Sequence, residues 1–227
     1  MSDDAHIVPE GTDPSGPLPA GDFASWVAEI RGAIRGDNPA DVACDGCTAC
    51  CTSSQFVHIA PDETATLARI PADLLFPAPR MPRGHVLLGY DDRGHCPMLR
   101  DRACSIYDDR PRTCRTYDCR VFAAAGLSAV ADDKPDIDRR ARLWEFSYAT
   151  DADRARHDAV RTAATALREH PDLLPDDAAR ATTTQLAVLA VLVHDALIPA
   201  STAPTAAAIA AELTRHRPTP LWQRPLR

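Results

Sequence analysis

The chain has 227 residues, a formal net charge of -7 and eight cysteines. Its length suffices to bury a core without disulfides or metal, and its acidity argues against nucleic acid as a partner, because phosphate backbones are bound by basic surfaces. There is no apolar run of about 18 residues, the length that a membrane helix needs, and no signal peptide, so we expect a cytoplasmic protein without membrane contact.

The first folded element is predicted to begin at Phe23. Residues 1–22 are rich in Pro, Gly and Asp with few large apolar side chains, which predicts a disordered tail. A helix is predicted next, because apolar residues recur at spacings of three and four up to Ile34. The Gly36-Asp37-Asn38-Pro39 stretch should end this helix.

Residues 40–122 contain every cysteine and are predicted to form short, irregular elements. We expect a helix that begins beside Pro111 and carries Cys114, because proline suits the first turn of a helix. The other predicted elements are a strand at 56–59, a helix at 61–70, a strand at 85–90, and a hairpin of 98–99 with 105–107.

The remainder of the chain is rich in alanine and predicts helices at 153–169, 176–198 and 203–216. A polar linker is expected at 131–138. The resulting fold class is mainly α, with a small irregular α+β cysteine-rich metal-binding domain at 23–130. The alanine-rich helical region at 131–227 should pack on it, because the apolar seam of its middle helix is too large to leave in water.

The cysteines form two groups whose spacing indicates metal binding. The first group is Cys-x2-Cys-x2-Cys-Cys, and a Cys-x2-Cys turn lets two sulfurs converge on one ion. Gly46 supplies the backbone freedom that such a turn needs. The second group is more widely spaced. The candidate metal ligands are Cys44, Cys47, Cys50, Cys51, Cys96, Cys104, Cys114 and Cys119.

The spacing alone leaves the metal open between an iron-sulfur cluster, [4Fe-4S], and zinc. Ferredoxins bind clusters through Cys-x2-Cys-x2-Cys, whereas four thiolates also satisfy zinc. The neighbours Cys50 and Cys51 diverge on any regular backbone. They serve two different metals, or one ligates while the other packs, or both bind a polynuclear centre. Eight thiols are enough to form two complete four-sulfur sites.

Other residues have weaker claims to the site. Seven arginines and four aspartates between 93 and 120 give a local positive excess that would stabilise an anionic centre. His58 and His95 could ligate or support a metal, although each also fits an ordinary partly buried histidine. Four aromatic residues could line a substrate cleft, although core packing is the preferred explanation: Tyr107, Tyr117, Trp144 and Tyr148.

All eight cysteines and the residues between them resemble the YkgJ-type cysteine-cluster family, which has a zinc- or iron-chelating CxxCxxCC domain. The resemblance covers roughly residues 40–122, including Cys96-Pro97-Met98-Leu99 and Arg110-Pro111-Arg112-Thr113-Cys114-Arg115. It implies a metal centre held by these cysteines. A similar domain occurs in flagellin lysine-N-methylases with an iron-sulfur cluster. That activity is not carried over, because the chain lacks an evident glycine-rich turn for S-adenosylmethionine.

Three functions therefore remain as hypotheses. The first is a metal-binding protein whose iron-sulfur or zinc centre supports redox or group-transfer, methylase-like chemistry. The second is a structural zinc module that shapes a surface for protein interaction, with a closed site. The third is a metal chaperone or thiol-redox protein, which would need cysteines with depressed pKa values. The sequence identifies neither a substrate nor a protein partner, and no catalytic residue.

Overall fold

The computed structural model describes residues 16–35, 41–42, 46–171, 181–197 and 211. It is an α+β structure, about 50% helical with small sheets. The helices are α1 Phe23–Arg35, α2 Thr64–Arg69, α3 Arg112–Thr116, α4 Arg120–Ala125, α5 Pro135–Ala141, α6 Asp151–Glu169 and α7 Thr183–Val193. The strands are β1 Leu18–Asp22, β2 Val57–Ile59, β3 Leu75–Pro77, β4 Val86–Leu88, β5 Leu99–Arg100, β6 Ala103–Cys104 and β7 Trp144–Ser147.

The strands of the described residues pair into three small sheets. β1 pairs in parallel with β7, β2, β4 and β3 form an antiparallel sheet in that order, and β5 and β6 form a hairpin. In β2, Val57 and Ile59 are buried while His58 is only half-buried, as expected for a strand with one face on a core.

The larger apolar core lies between helices α1, α4, α6 and α7. Phe23, Phe122, Leu167 and Leu192 are among its fully buried side chains. The alanines of α6 and α7 that face this core are also buried, and small side chains let helix backbones approach closely. Because α4 precedes residue 130 and α6 and α7 follow it, one core is built from both sides of that position. A domain boundary there stays a prediction.

A second, smaller core lies in the segment that carries most of the cysteines. It consists of six buried residues contributed by short strands, turns and α2: Val57, Ile59, Ile70, Leu88, Met98 and Ile106. Since its elements are two to six residues long, little regular hydrogen bonding supports this region.

Several stretches differ from the sequence-based expectation. The hairpin expected from 98–99 and 105–107 is formed instead by β5 and β6, because Asp101 and Arg102 have the positive φ values of a two-residue hairpin turn. Residues 18–22, expected in the disordered tail, form β1, because a parallel pairing with β7 satisfies their backbone without requiring large side chains. The stretch 131–138, expected as a polar linker, contains the start of α5 and buries Ile137 and Asp138. The Asp138 carboxylate accepts hydrogen bonds from the Ser128 hydroxyl and the Ala129 amide, which explains its burial.

The helices predicted to begin at Phe23 and at 153 are confirmed, whereas the helix predicted at 176–198 begins only at Thr183 among the described residues and is preceded by the N-cap Thr182. α1 and α6 match the periodicity, and Thr150 and Asp153 form a capping box at the start of α6. The predicted helix at 203–216 lies outside the described residues except for Ala211, as do residues 1–15 of the predicted tail. No helix of the described residues is long and apolar enough to cross a membrane.

The buried His157 should make stability depend on pH. Its ring stacks on Phe23 and bonds to the Tyr148 hydroxyl at 2.7 Å. Burial lowers its pKa to about 4, with Arg161 acting in the same direction and Asp158 in the opposite one. In the unfolded chain this imidazole is protonated below about pH 6.5, whereas in the folded chain it stays neutral down to about pH 4. Acidification from pH 6.5 to 4 should therefore lower the unfolding free energy by about 3 kcal/mol.

Urea unfolding of wild type and His157→Gln at pH 7 and pH 4.5 checks this expectation. The difference in unfolding free energy between the two proteins should shrink on acidification, because the variant lacks the ionisable group. A difference that stays constant would contradict it.

Candidate metal centre

The described members of the first cysteine group are Cys47, Cys50 and Cys51, and they lie on a tight turn that continues into a short 3-10 helix, Ala49–Thr52. Gly46 has a φ of 77°, in the region that glycine adopts without strain, as the sequence predicted. The carbonyl of Thr48 accepts the amides of Cys51 and Thr52. The turn therefore holds Cys50 and Cys51 on a defined backbone.

Polar contacts fasten this turn to the segment around α5. The Thr52 hydroxyl donates to the Asp136 carboxylate at 2.7 Å, and the Lys134 ammonium donates to the Ser53 carbonyl at 2.9 Å. Residues expected as a linker thus support the first cysteine group.

Two backbone hydrogen bonds join the first cysteine group to the second. The Ser54 amide donates to the Gly94 carbonyl at 2.9 Å, and the Cys96 amide donates to the Cys51 carbonyl at 2.7 Å. A Cβ atom at Gly94 would lie 2.3 Å from the Ser54 hydroxyl oxygen. The φ of Gly94 is also 80°, a conformation that residues with a side chain rarely adopt, so glycine is favoured at this close approach of two loops.

Cys96 lies on a turn in which the Leu99 amide donates to the Cys96 carbonyl at 2.9 Å. Burial raises the pKa of Cys96 and the nearby Cys104 thiol raises it further, whereas the backbone amides of Met98 and Leu99 lower it. Leu99 in turn pairs with Cys104 across the β5–β6 hairpin. Amides that lower the pKa of a thiol favour its thiolate form, the form that ligates metals.

Helix α3 places Cys114 on the smaller core, where Cys96 and Cys104 also pack. The helix is clamped to the chain that enters the first cysteine group. Arg110 and Arg115 both bind the Asp41 carboxylate, and the Val42 amide donates to the Arg115 carbonyl at 2.7 Å. The Arg110 side chain is nearly buried, so this is an ion pair shielded on one side from water.

Cys119 precedes α4 and lies against the larger core. The Trp144 indole donates to its sulfur at 3.2 Å. Burial raises the pKa of Cys119 to about 11, Trp144 lowers it, and nearby Asp118 and Cys47 raise it. Asp118 itself binds the Trp26 indole at 2.8 Å and the Arg120 guanidinium, so α1 fixes the backbone beside Cys119.

The Tyr117 hydroxyl lies near the Cys50 and Cys119 thiols. Its oxygen is buried and has no hydrogen-bond partner among the described residues. Burial raises the pKa of Tyr117, and the Cys50 and Cys119 thiols raise it further. The Thr184 hydroxyl lies nearby and lowers that pKa, but the two hydroxyls do not reach ordinary hydrogen-bond geometry.

The structure therefore places five of the seven described cysteines at the two cores. Cys50 and Cys119 pack against the larger core and Cys96, Cys104 and Cys114 against the smaller one. All seven described cysteines are half-buried thiols, and Cys44 lies outside the described residues. Within the described part of the chain, no three His, Cys, Asp or Glu side chains are arranged to hold a metal ion. The ligand set thus stays a prediction.

The other candidates from the sequence have different roles. The His58 Nε2 atom lies 2.8 Å from the Nδ1 atom of His85. Tyr148 packs in the larger core, and Tyr107 lies under the Arg110 guanidinium. Five of the seven arginines pair with aspartates rather than with thiols: Arg93, Arg110, Arg112, Arg115 and Arg120.

Arg140 is the guanidinium that lowers the pKa of Cys119. It also lies over the Trp144 ring at 4.9 Å. Sequence reasoning missed Arg140, and it weighed Trp144 only as a cleft or core residue, because both lie more than 20 residues beyond Cys119.

The chemistry of these donors fits a thiophilic metal. Zinc and iron-sulfur clusters are both bound by cysteine thiolates, and the backbone amides of Met98 and Leu99 favour the thiolate form of Cys96 because they lower its pKa. The buried Tyr117 hydroxyl lacks an acceptor, and a metal-bound thiolate beside it would supply one. Zinc or iron therefore suits the side chains present.

Tyr117→Phe should change the unfolding free energy differently in the metal-free and the metal-bound protein. Without metal, removing a buried unpaired hydroxyl should raise the unfolding free energy by about 1 kcal/mol. With metal bound, the hydroxyl donates to a thiolate, so the gain should vanish or reverse. Urea unfolding of wild type and variant, with and without metal, measures both. An equal gain in the two states would contradict this expectation, and Tyr148→Phe serves as the control.

Residues 43–138 match the family model CxxCxxCC, described as a "putative zinc- or iron-chelating domain". This confirms the resemblance to a CxxCxxCC domain inferred from the cysteine motifs and extends it to residue 138, within α5, which contacts the first cysteine group. No match was found among curated proteins or solved structures.

Proposed function

We propose that this protein is a zinc- or iron-chelating module whose cysteine thiolates hold the metal between the larger and the smaller core. The ligands are the eight cysteines predicted from the sequence, seven of which are described. The observation that carries the proposal is the hydrogen bond from the Cys96 amide to the Cys51 carbonyl, because it joins two motifs whose nearest cysteines are 45 residues apart in the chain. The matching domain description supports the metal class.

Metal binding would require the thiols to approach one another further than they do in the described residues. Cysteines on short turns and on a hairpin with two-residue strands can move closer together at a small cost in free energy, because few regular hydrogen bonds hold them. Deprotonation is the other requirement. Burial raises the pKa values of Cys96 and Cys119, so metal binding at neutral pH would displace their protons.

The proposed metal centre is an iron-sulfur cluster, and zinc is the alternative. The Cys-x2-Cys-x2-Cys spacing favours a cluster, which when bound would supply electron transfer or support group transfer. Zinc would give a closed structural site that shapes an interaction surface. The raised pKa values of Cys96 and Cys119 argue against the chaperone or thiol-redox alternative, which needs reactive, easily ionised thiols.

Anaerobic purification followed by metal and sulfide analysis tests the proposal. A cluster predicts brown protein with nearly equal iron and acid-labile sulfide. Colourless protein with zinc and no sulfide would establish the structural zinc site instead. Serine at Cys47 or Cys114 should lower the metal content in either case. Protein without bound metal, or with unchanged metal in both variants, would refute the proposal.

A further inference from the structure

We propose that residues 217–227, the basic segment, dock on the aromatic face, an exposed surface formed by Phe56, Phe76 and Tyr90. The aromatic face belongs to the part of the chain that the structure describes, whereas the basic segment lies outside the described residues. The interaction involves no cysteine and is independent of the proposed metal binding.

The aromatic face lies on the outer side of the sheet formed by β2, β4 and β3. Val57 and Leu88 pair with each other in this sheet and are buried in the smaller core. Because side chains alternate between the two sides of a strand, Phe56 just before β2 and Phe76 in β3 point away from that core. Phe56 is accordingly 56% exposed and Phe76 38% exposed.

The three rings pack on one another. The centroid of the Phe56 ring lies 5.9 Å from that of Phe76 and 4.9 Å from that of Tyr90, which is 41% exposed. Gly89 lies against two of them, since a Cβ atom there would be 3.4 Å from the Phe76 ring and 3.9 Å from the Phe56 ring. The rings therefore form one aromatic surface that is open to solvent.

Acidic side chains border one end of the aromatic face. Asp91 and Asp92 follow Tyr90 directly, and Asp73 precedes β3 at the same end of the sheet, because β3 and β4 are antiparallel. All three aspartates are exposed. Asp91 pairs with Arg93, whereas Asp73 and Asp92 form no ion pair with the residues that the structure describes. A ligand with apolar side chains and positive charge complements this surface.

The basic segment has this chemistry. It contains three arginines and no acidic residue, in a chain whose net charge is -7. It also contains Trp222, two leucines and three prolines. Proline fixes its own φ, which lowers the entropy lost on docking, and proline-rich segments are bound by aromatic surfaces in several recognition domains.

The size of the aromatic face suits a short segment rather than a second folded copy. An aromatic side chain has a surface of about 150–250 Å². Three rings that are between 38% and 56% exposed therefore offer about 300 Å². A stable dimer buries about 800 Å² on each partner, which is more than twice that area.

The chain between the described helices and the basic segment is long enough for this contact. With the predicted helix at 203–216 at about 1.5 Å per residue and the other residues at about 3.3 Å each, the path from Leu197 to Pro218 spans up to about 45 Å. A folded chain of 227 residues has a radius of gyration of about 17 Å. The path therefore reaches across the molecule.

Trp222 reports on docking in the full-length protein. The chain has three tryptophans, Trp26, Trp144 and Trp222, so labelling with 5-fluorotryptophan gives one fluorine NMR signal for each, and Trp222→Phe identifies the third. The measurement is the change in chemical shift between H2O and D2O, which grows with the exposure of the ring to solvent. For Trp222 in the wild type, this change should be less than half of that of free 5-fluorotryptophan.

Three variants and a matched control test the contact. Phe56→Ser and Phe76→Ser each remove one ring of the aromatic face, and both should raise the solvent-isotope change of Trp222 to the free value. Leu221→Ser, which alters only the basic segment, should do the same. The control is Val130→Ser, because Val130 is 54% exposed and lies beside the larger core, so this change should leave the Trp222 signal as it is.

Three results would overturn the proposal. A Trp222 ring as exposed in the wild type as the free amino acid shows that the basic segment does not dock. A protected Trp222 signal that responds to neither Phe56→Ser nor Phe76→Ser places the segment elsewhere. A signal that approaches the free value on dilution, with a matching change in sedimentation, shows docking on a second copy. Unchanged Trp26 and Trp144 signals identify the variants that are folded, and none of these results bears on metal binding.

Discussion

Removing the metal should lower the melting temperature of this protein by roughly 10 °C. A ligand present at 1,000 times its dissociation constant stabilises the folded state by about 4 kcal/mol, and each kcal/mol shifts the melting temperature by about 2–4 °C in a chain of this size. The smaller core has six buried residues and short elements, so the metal should contribute much of the stability of this segment.

Circular dichroism during heating, before and after treatment with a chelator, measures the shift. Metal added back should restore the original melting temperature. The variant Cys47→Ser/Cys96→Ser provides the matched control: it should melt early and respond little to the chelator. An unchanged melting temperature in wild type that has lost its metal would contradict the expectation.

Phe122→Ala should destabilise the protein by about 3–5 kcal/mol, the usual cost of deleting a buried aromatic ring. Phe122 is 1% exposed in the larger core, and its amide donates to the Cys119 carbonyl at 3.2 Å. Because the unfolding free energy of a typical protein is about 5–15 kcal/mol, this single change should remove a large fraction of the stability. Metal content should also fall, because α4 positions Cys119.

Urea unfolding and metal analysis of the same preparation test both parts of this prediction. Phe76→Ala is the matched control, since the Phe76 ring is 38% exposed and its loss should cost less than about 1 kcal/mol. Equal destabilisation by the two changes would show that the ring of Phe122 does not support the core as the structure implies.

Local sequence patterns predicted the elements that depend on local interactions. α1 and α6 follow the spacing of their apolar residues, and the start of α3 beside Pro111 follows from the fixed φ of proline. The turn at Gly46 was predicted for the same kind of reason. The sequence patterns did not predict β1 and α5, because the stability of both elements comes from distant partners. β1 pairs with β7, and α5 contacts the first cysteine group.

The sequence by itself determined the metal class of this protein, because its eight cysteines form a motif that matches a zinc- or iron-chelating domain. Only the tertiary structure decided which thiols are neighbours. Cys50 and Cys119 are 69 residues apart in the chain and share one core. Trp144 joins them from beyond the matched domain. Such contacts arise when distant segments bury their apolar surfaces together, and no local spacing encodes which segments will meet.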